Sequence, residues 1–321
     1  MATMKDVAKL AGVSVGSVSN VFNGQKVKKS TYDKVISAVK ELNYETNNLA
    51  RSFKLNHTNT IALIIPTIWH PFFSSIAFYL EEIAESQGHH VFLCNSNNNE
   101  ETELNYIKML RKSKVDGIIA ITYRDIDSYI EGSLPFVSID RHFNKDISIV
   151  SSDNFNGGRL AAQTLQEKGA KKLLFIGSHN LINNETMKRR QGFESYCVEN
   201  KIPYHIIDLL EPDNDFTNDL KKIIANQEDI DGIFTINDFV GLNVIKELKS
   251  MNKEVLRDYQ LVGFDGIKMS SERDYQVSTI VQPVKEIAYN AFEILMKQIK
   301  DPNYKAQRIL PIKFMEGGTT N

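Results

Sequence analysis

The chain has 321 residues, 42% hydrophobic and 24% charged, which is the balance of an ordinary globular protein with room for two or three domains. It contains no run of about 18 apolar residues, and its start, MATMKDVAKLAG, carries an Asp and no apolar stretch, arguing against a membrane span or a secretory signal. The net charge of −2 is uneven: residues 1–60 hold nine Lys and Arg against four Asp and Glu, so a basic head precedes an acidic body. That asymmetry points either to a polyanionic partner for the head or to a solvated basic surface.

In chain order, Thr3-Met-Lys-Asp6 predicts a capping-box start, Val7, Leu10 and Ala11 give one apolar face, and Gly12 stops the helix. Ser14 caps a second helix that runs to about Phe22, with Asn23-Gly24 as its stop. Ser30-Thr-Tyr-Asp33 reads as the cap of a third helix, on which Val35, Val39 and Leu42 share a face. The stretch Thr46–Lys54 is about two helical turns, too short to persist alone in water. After Asn59 the pattern changes to apolar strands alternating with amphipathic helices. The strands are predicted at 61–67, 90–96, 115–122, 135–140, 172–178, 205–210, 231–238 and 260–266, with further strand ends near Asp153 and Gln282. Apolar strands separated by helices mean parallel sheets covered on both faces. Asp116-Gly and Asp231-Gly echo each other before two of these strands, which points to two similar α/β halves.

A helix, a tight Gly turn and a second helix opening on small polar residues make a helix-turn-helix. Val15, Gly16 and Asn20 are expected to face base edges, with Asn suited to adenine and Val to a thymine methyl. Ser14, Ser17 and the Lys residues suit phosphates. Thr3 and Asn23 complete the expected DNA-contacting set of the head.

The stretch MKDVAKLAGVSVGSVSNVFNG, followed by VKELNYETNNLARSFK, resembles the DNA-binding head and hinge of the LacI/GalR family of bacterial repressors. The resemblance runs from Thr3 to about Thr319. It implies that Asn47–Lys54 is a hinge helix that folds on operator DNA, with Ala50, Phe53 and Lys54 at the minor groove. Phe53 stands where the family usually has a Leu wedge. Phe can also unstack a base step, and the other reading places it in the core of a domain junction. Thr46-Asn47 stands where a Pro usually preorganises the first hinge turn. Asn20 replaces a more common Arg or His, so the operator half-site is expected to differ.

The body resembles the periplasmic sugar-binding fold, in which two lobes close on a ligand at the carboxyl ends of the strands. Within it, Phe72, Phe73, Asp140, Arg141, Arg189, Asn237, Asp265 and Gln282 match the motifs of bacterial ribose-binding proteins. Arg189 opens an Arg-x-x-Gly-aromatic stretch. His70 stands where the ribose binders carry Asn, and Phe216 is matched to a second stacking aromatic across a stretch of different length. Carboxylates and Arg bond sugar hydroxyls, Asn and Gln both donate and accept, and Phe covers the C–H face of a sugar ring. Singly, a strand-end Asp also reads as a helix cap, Phe72-Phe73 as lobe core, and Asp153-Asn154 with Gly157-Gly158 as a hinge and helix start.

The expected fold is α/β: an N-terminal all-α helix-turn-helix head and a two-lobed periplasmic-binding-protein-like core with parallel sheets. The expected domains are a head at 1–45, a hinge helix and linker at 46–59 and an effector-binding and dimerisation core at 60–321. Lobe 1 takes about 60–154 and 284–310, and lobe 2 about 155–281 and 311–321. The expected function is a cytoplasmic, sugar-controlled repressor binding palindromic operator DNA as a homodimer, with no cofactor and no metal. No leucine heptad follows Thr319, which favours a dimer over a tetramer. Isolated Cys94 and Cys197 fit a reducing compartment. A phosphorylated carrier-protein corepressor and a non-sugar metabolite are the alternative controls. The sequence has no G-x-G-x-x-G after the first strand, no P-loop and no Cys/His nucleophile pair, which opposes an enzyme. A transport binding protein is opposed by the basic head.

Overall fold

The computed structural model describes residues 2–22, 25–44, 58–130, 134–143, 146–211, 215–226, 229–268 and 274–321. The chain divides into two units, 1–58 and 59–321. Among the described residues no helix is long and apolar enough to cross a membrane. Asn23 and the expected hinge helix, with Ala50, Phe53 and Lys54, lie outside the described residues.

The first unit holds three helices, α1 (Met4–Ala11), α2 (Val15–Phe22) and α3 (Lys29–Glu41). Thr3 and Asp6 form a reciprocal capping box on α1, and Gly12 ends it in the left-handed conformation at φ 62°. Ser14 Oγ accepts the Ser17 N–H at 3.1 Å and starts α2. The third cap differs from expectation. Helix α3 begins after Lys28, which makes no side-chain cap, and Ser30 sits inside the first turn. Val27 packs against the core of this unit, so burial just before the helix sets its start ahead of the local capping signal. That core is small: Val7, Val18 and Val35 are fully buried among Ala8, Ala11, Val21 and Ala38.

The second unit is two six-stranded sheets. The first contains β1 (Thr60–Ile65), β2 (His90–Asn95), β3 (Gly117–Ile121), β4 (Phe136–Ile139), β5 (Ser148–Ser152) and β11 (Gln307–Leu310), ordered β11-β5-β4-β3-β1-β2. The second contains β6 (Leu173–His179), β7 (Tyr204–Leu210), β8 (Gly232–Thr235), β9 (Gln260–Asp265), β10 (Ser278–Val281) and β12 (Lys313–Met315), ordered β12-β10-β9-β8-β6-β7. Only β12 runs antiparallel to its neighbour among these strands. The helices are α4 (Pro71–Ser86), α5 (Glu100–Lys112), α6 (Asn154–Glu167), α7 (Met187–Glu199), α8 (Thr217–Ala225), α9 (Asp238–Ser250) and α10 (Val284–Lys300).

The two sheets repeat one topology, with β1–β5 and β6–β10 in matching places. The Asp-Gly echo falls on β3 and β8, the strands beside the first of each half. Asp116 accepts the Thr60 N–H, and Asp231 accepts those of Lys171 and Lys172, tying each strand to its neighbour. A Cβ on Gly117 would lie 2.7 Å from the Leu295 side chain, and one on Gly232 would lie 2.4 Å from that of Leu173. Both turns therefore need glycine for a packing reason. The chain passes between sheets three times, after β5, β10 and β11.

Helices α6 and α7 cross with their backbones nearly touching. A Cβ on Gly158 would fall 1.9 Å from the Arg189 carbonyl oxygen, and one on Gly192 would fall 1.9 Å from that of Phe155. This crossing sets the position of Arg189. Gly192→Ala should destabilise the second unit by about 1–3 kcal/mol, the usual cost of overpacking, or more if the helices must part. Thermal melting checks this, and an unchanged melting temperature would mean that the crossing can relax.

Candidate functional site

The carboxyl ends of both sheets face a cleft of about 220 Å³ within the second unit. Its lining follows the repeated topology. Thr67 and His70 follow β1, while Ser178 and Asn180 lie at the end of β6. Asn98 follows β2 and Glu211 follows β7; Tyr123 follows β3 and Asn237 follows β8. Asp140 follows β4, and Asp265 ends β9. Phe72, Phe73, Arg189 and Gln282 complete the polar and aromatic wall. Asn98, Tyr123, Ser178, Asn180 and Glu211 were not expected from the sequence. Applying the strand-end rule to every strand of the repeat would have found them.

On the second lobe, Arg189 is buried and held through Nε and one Nη. Its Nε donates to Asn154 Oδ1 at 2.7 Å, and one Nη donates to the Ile236 carbonyl at 2.7 Å and to Asp265 Oδ1 at 3.3 Å. The guanidinium lies 3.8 Å above the Phe264 ring. Gln282 donates to the same Asp265 oxygen at 2.7 Å and accepts from Ser152 Oγ at 2.7 Å, linking the ends of β10 and β5. Asp265 itself sits at φ 105°, a strained value for a side chain with a Cβ. Asn237 caps α9 through Oδ1.

His70 caps α4. Its Nδ1 accepts the Phe72 N–H at 3.3 Å, which assigns the ring hydrogen to Nε2, and Nε2 lies 3.6 Å from Asp265 Oδ2. The ring stands edge-on to Phe239 at 4.9 Å and beside Phe73 at 5.3 Å. Burial lowers its pKa and holds it neutral against the pull of Asp265. Phe72 belongs to the first-lobe core while also lining the cleft, so both expected readings of it apply.

Asp140 is in the opposite condition. It sits at φ 59°, is buried, and neither carboxylate oxygen accepts a well-aligned hydrogen bond. Burial pushes its carboxyl up to about 7; Arg189 and the nearby Asn154 side-chain amide, whose Nδ2 is aligned on the Ser152 carbonyl, oppose this, and Glu185 and Asp265 add to it. The Asp140 carbonyl accepts the Glu185 N–H at 2.8 Å, joining the lobes beside the cleft.

Two expected residues lie elsewhere. Arg141 is not part of the cleft wall, because the left-handed backbone of Asp140 turns the chain after β4 and the Arg141 guanidinium finds partners in the loop after β3. Its guanidinium donates to the Arg124 carbonyl and to Asp127. Phe216 precedes α8, and its ring is buried against Leu174, Ile176, Ile207 and Leu220 in the second-lobe core. Asp153 and Asn154 start α6, and Asn154 reaches the site only through Arg189.

In the first unit, Ser14, Val15, Gly16 and Asn20 are exposed along α2, while Val18 and Val21 are buried. The Ser17 and Ser14 hydroxyls are 2.9 Å apart. The Thr3 hydroxyl donates to Asp6, so it serves the cap of α1 first.

Residues 58–317 match the family of periplasmic binding proteins and sugar binding domain of LacI family, and residues 3–47 match the bacterial regulatory proteins, lacI family. The chain belongs to the LacI family. This LacI-family regulator joins a DNA-binding domain to a core of the periplasmic-binding-protein type. It is 34% identical over 322 residues to the sucrose operon repressor of Streptococcus mutans, covering 99% of each chain. It is 32% identical over 324 residues to the ribose operon repressor of Halalkalibacterium halodurans, covering 100% of this chain and 97% of that one. A solved LacI-type regulator from Alkaliphilus metalliredigens, complexed with D-xylulofuranose, is 31% identical with a TM-score of 0.70, covering 82% of this chain and 99% of that chain.

The Asp140 environment has a pH signature. Its folded pKa of about 7 lies above the ordinary 3.8, so the folded state binds the extra proton and loses stability as pH rises from about 4 to 7. Burial also pushes Glu103 up to about 7 and Asp238 up to about 8, so both add slopes of the same sign. Asp140→Asn should flatten the profile in part and leave the LacI-family core more stable than wild type at pH 8. Melting temperatures across this range test it, and an unchanged slope would mean that Asp140 is ionised and solvated.

Proposed function

We propose that this LacI-family protein is a cytoplasmic operator-binding repressor whose effector is a monosaccharide held between the two lobes. It is proposed to act as a homodimer on a palindromic operator and to carry no catalytic activity. The observation that carries the effector reading is the Asp140 carboxylate, buried in the cleft wall with Asn154 nearby and no well-aligned hydrogen bond to either oxygen. Vicinal hydroxyls donate two hydrogen bonds to such a group. Across the cleft, Asp265 is held by Arg189 and Gln282, while Phe72 and Phe73 offer apolar surface for a sugar ring. The ribose operon repressor among its relatives and the xylulofuranose complex support a pentose; the sucrose operon repressor supports sugar control in general.

The exposed edge of α2 supports the DNA reading, because small residues let the helix backbone approach base edges. Exposed Phe78 on α4 and Phe92 on β2 give adjoining elements apolar surface suited to a second copy. Control of DNA binding would follow from a difference in sugar affinity between two lobe arrangements.

The decisive experiment is a thermal-shift and calorimetry panel of D-ribose, D-xylulose, D-fructose, sucrose and purines. A monosaccharide should raise the melting temperature, and Asp265→Ala or Arg189→Ala should each cost about 2–5 kcal/mol of that binding by leaving a buried charge unpaired. Stabilisation by sucrose or a purine, with none by a monosaccharide, would overturn the reading. In gel shifts on a selected palindromic operator, Gly16→Ala should weaken DNA binding while preserving head stability, since its Cβ would meet only Ser14 Oγ at 3.7 Å. A chain starting at Asn59 should keep the sugar and lose the operator.

A further inference from the structure

We propose that Arg141 is a positioning residue for the cleft, tying together the three strand-end loops that carry Asn98, Tyr123 and Asp140. The inference rests on the reading of the cleft as the effector site. Arg141 is 1% exposed, and its guanidinium donates to the Arg124 carbonyl and to the Asp127 carboxylate while lying 4.0 Å from the Phe143 ring. Its own carbonyl accepts from Ser138 Oγ at 2.8 Å, so the side chain and the backbone are both held. Arg124 extends the tie. Its N–H donates to Thr122 Oγ1 at 3.2 Å, and its Nε donates to the Asn98 carbonyl at 3.0 Å.

Each tied position is next to, or is, a cleft residue. Asp140 immediately precedes Arg141, Tyr123 immediately precedes Arg124, and Asn98 is the residue whose carbonyl Arg124 holds. The loops need an external hold. Asn97, Asn98 and Asp140 have φ values of 52°, 55° and 59°, in the left-handed region that costs free energy for residues with a Cβ. A planar guanidinium can bond a carbonyl and a carboxylate in fixed directions, which an apolar side chain of similar volume cannot do. Buried ions are often replaceable by well-packed apolar groups without loss of stability. The directed bonds, rather than the charge, are therefore what this position supplies.

Glu103 provides the competing explanation. It is buried beneath the same loops, beside Thr122, and Arg141 and Arg124 both act on its carboxyl. A purely structural Arg141 would only balance Glu103 and Asp127. The test uses the full chain as wild type, as Arg141→Lys, and as the double variant Arg141→Met with Glu103→Gln. The readouts are melting temperature, hydrogen–deuterium exchange, and calorimetric affinity for D-ribose and D-xylulose. The double variant should melt within a few degrees of wild type. It should exchange faster at residues 96–99 and 122–128 and unchanged in the second lobe, and its sugar affinity should fall about tenfold or more, the worth of one lost directed contact. Arg141→Lys, which keeps charge without the fork, should show the same changes in smaller degree, and it decides the matter if the double variant does not fold. Wild-type loop exchange and wild-type sugar affinity in these variants would reduce Arg141 to charge balance. Binding of neither sugar by the wild type would remove the pentose reading, while the exchange data would still decide whether Arg141 holds the loops.

Discussion

The buried guanidinium of Arg189 is the contact around which the second lobe's half of the site is arranged. A full charge at 4% exposure costs several kcal/mol of lost hydration unless its hydrogens are satisfied. Here Asn154, the Ile236 carbonyl and Asp265 accept from it, and Phe264 covers its face. Those partners come from the starts of α6 and α9 and the end of β9. They can meet at Arg189 only because Gly158 and Gly192 let α6 and α7 cross with no side chain between them. Asp265 then orients Gln282, and Gln282 reaches Ser152 at the end of β5. One ion therefore organises its own lobe and, through two hydrogen bonds, the strand ends where the chain passes between sheets.

The repeated topology places two aspartates at matching corners and gives them opposite environments. Asp140 and Asp265 both follow the fourth strand of their sheets, and both have positive φ. Asp265 is surrounded by donors. Asp140 accepts no well-aligned hydrogen bond, and burial pushes its carboxyl up to about 7 against the weaker pull of Arg189 and Asn154. The two carboxylates therefore differ: Asp265 Oδ1 is held by Arg189 and Gln282, and neither oxygen of Asp140 accepts a well-aligned bond. His70 stands between the lobes, fixed by its cap of α4 and facing Asp265.

Much of the site was legible because ligand residues of open α/β sheets sit at strand ends, and strand ends can be read from where apolar runs stop. Asp140, Asp265, Asn237 and Gln282 each follow such a run directly. Arg189 was readable only through the resemblance of its Arg-x-x-Gly-aromatic stretch to the family's motif. Tyr123, Asn98 and Glu211 obey the same strand-end rule, Glu211 following β7 directly, but none lies in a recognisable motif. Phe216 was misplaced because aromatic identity does not distinguish stacking on a ligand from packing under a helix. Arg141 was misplaced because the left-handed turn at Asp140 and the pull of Asp127 in another loop are not visible in the adjacency of the two residues.

The sequence by itself determined the helices of the head, the order of strands β1–β10, the two-fold repetition of the core and the residue types at most strand ends, but not the short closing strands β11 and β12. These follow from local periodicity, caps and Asp-Gly turns, which act over a few residues. The start of α3 lay beyond that reach, because burial of Val27 overrides the nearby Ser30 signal. Only the tertiary structure decided which polar groups are spent and which are free. Arg189 and Asp265 satisfy each other across 76 positions of sequence, Ser152 and Gln282 across 130, and Arg141 is drawn to Asp127 across 14. Pairing of buried charges depends on three-dimensional proximity and on the cost of leaving a partner unmet, and neither quantity is carried by the spacing of residues along the chain.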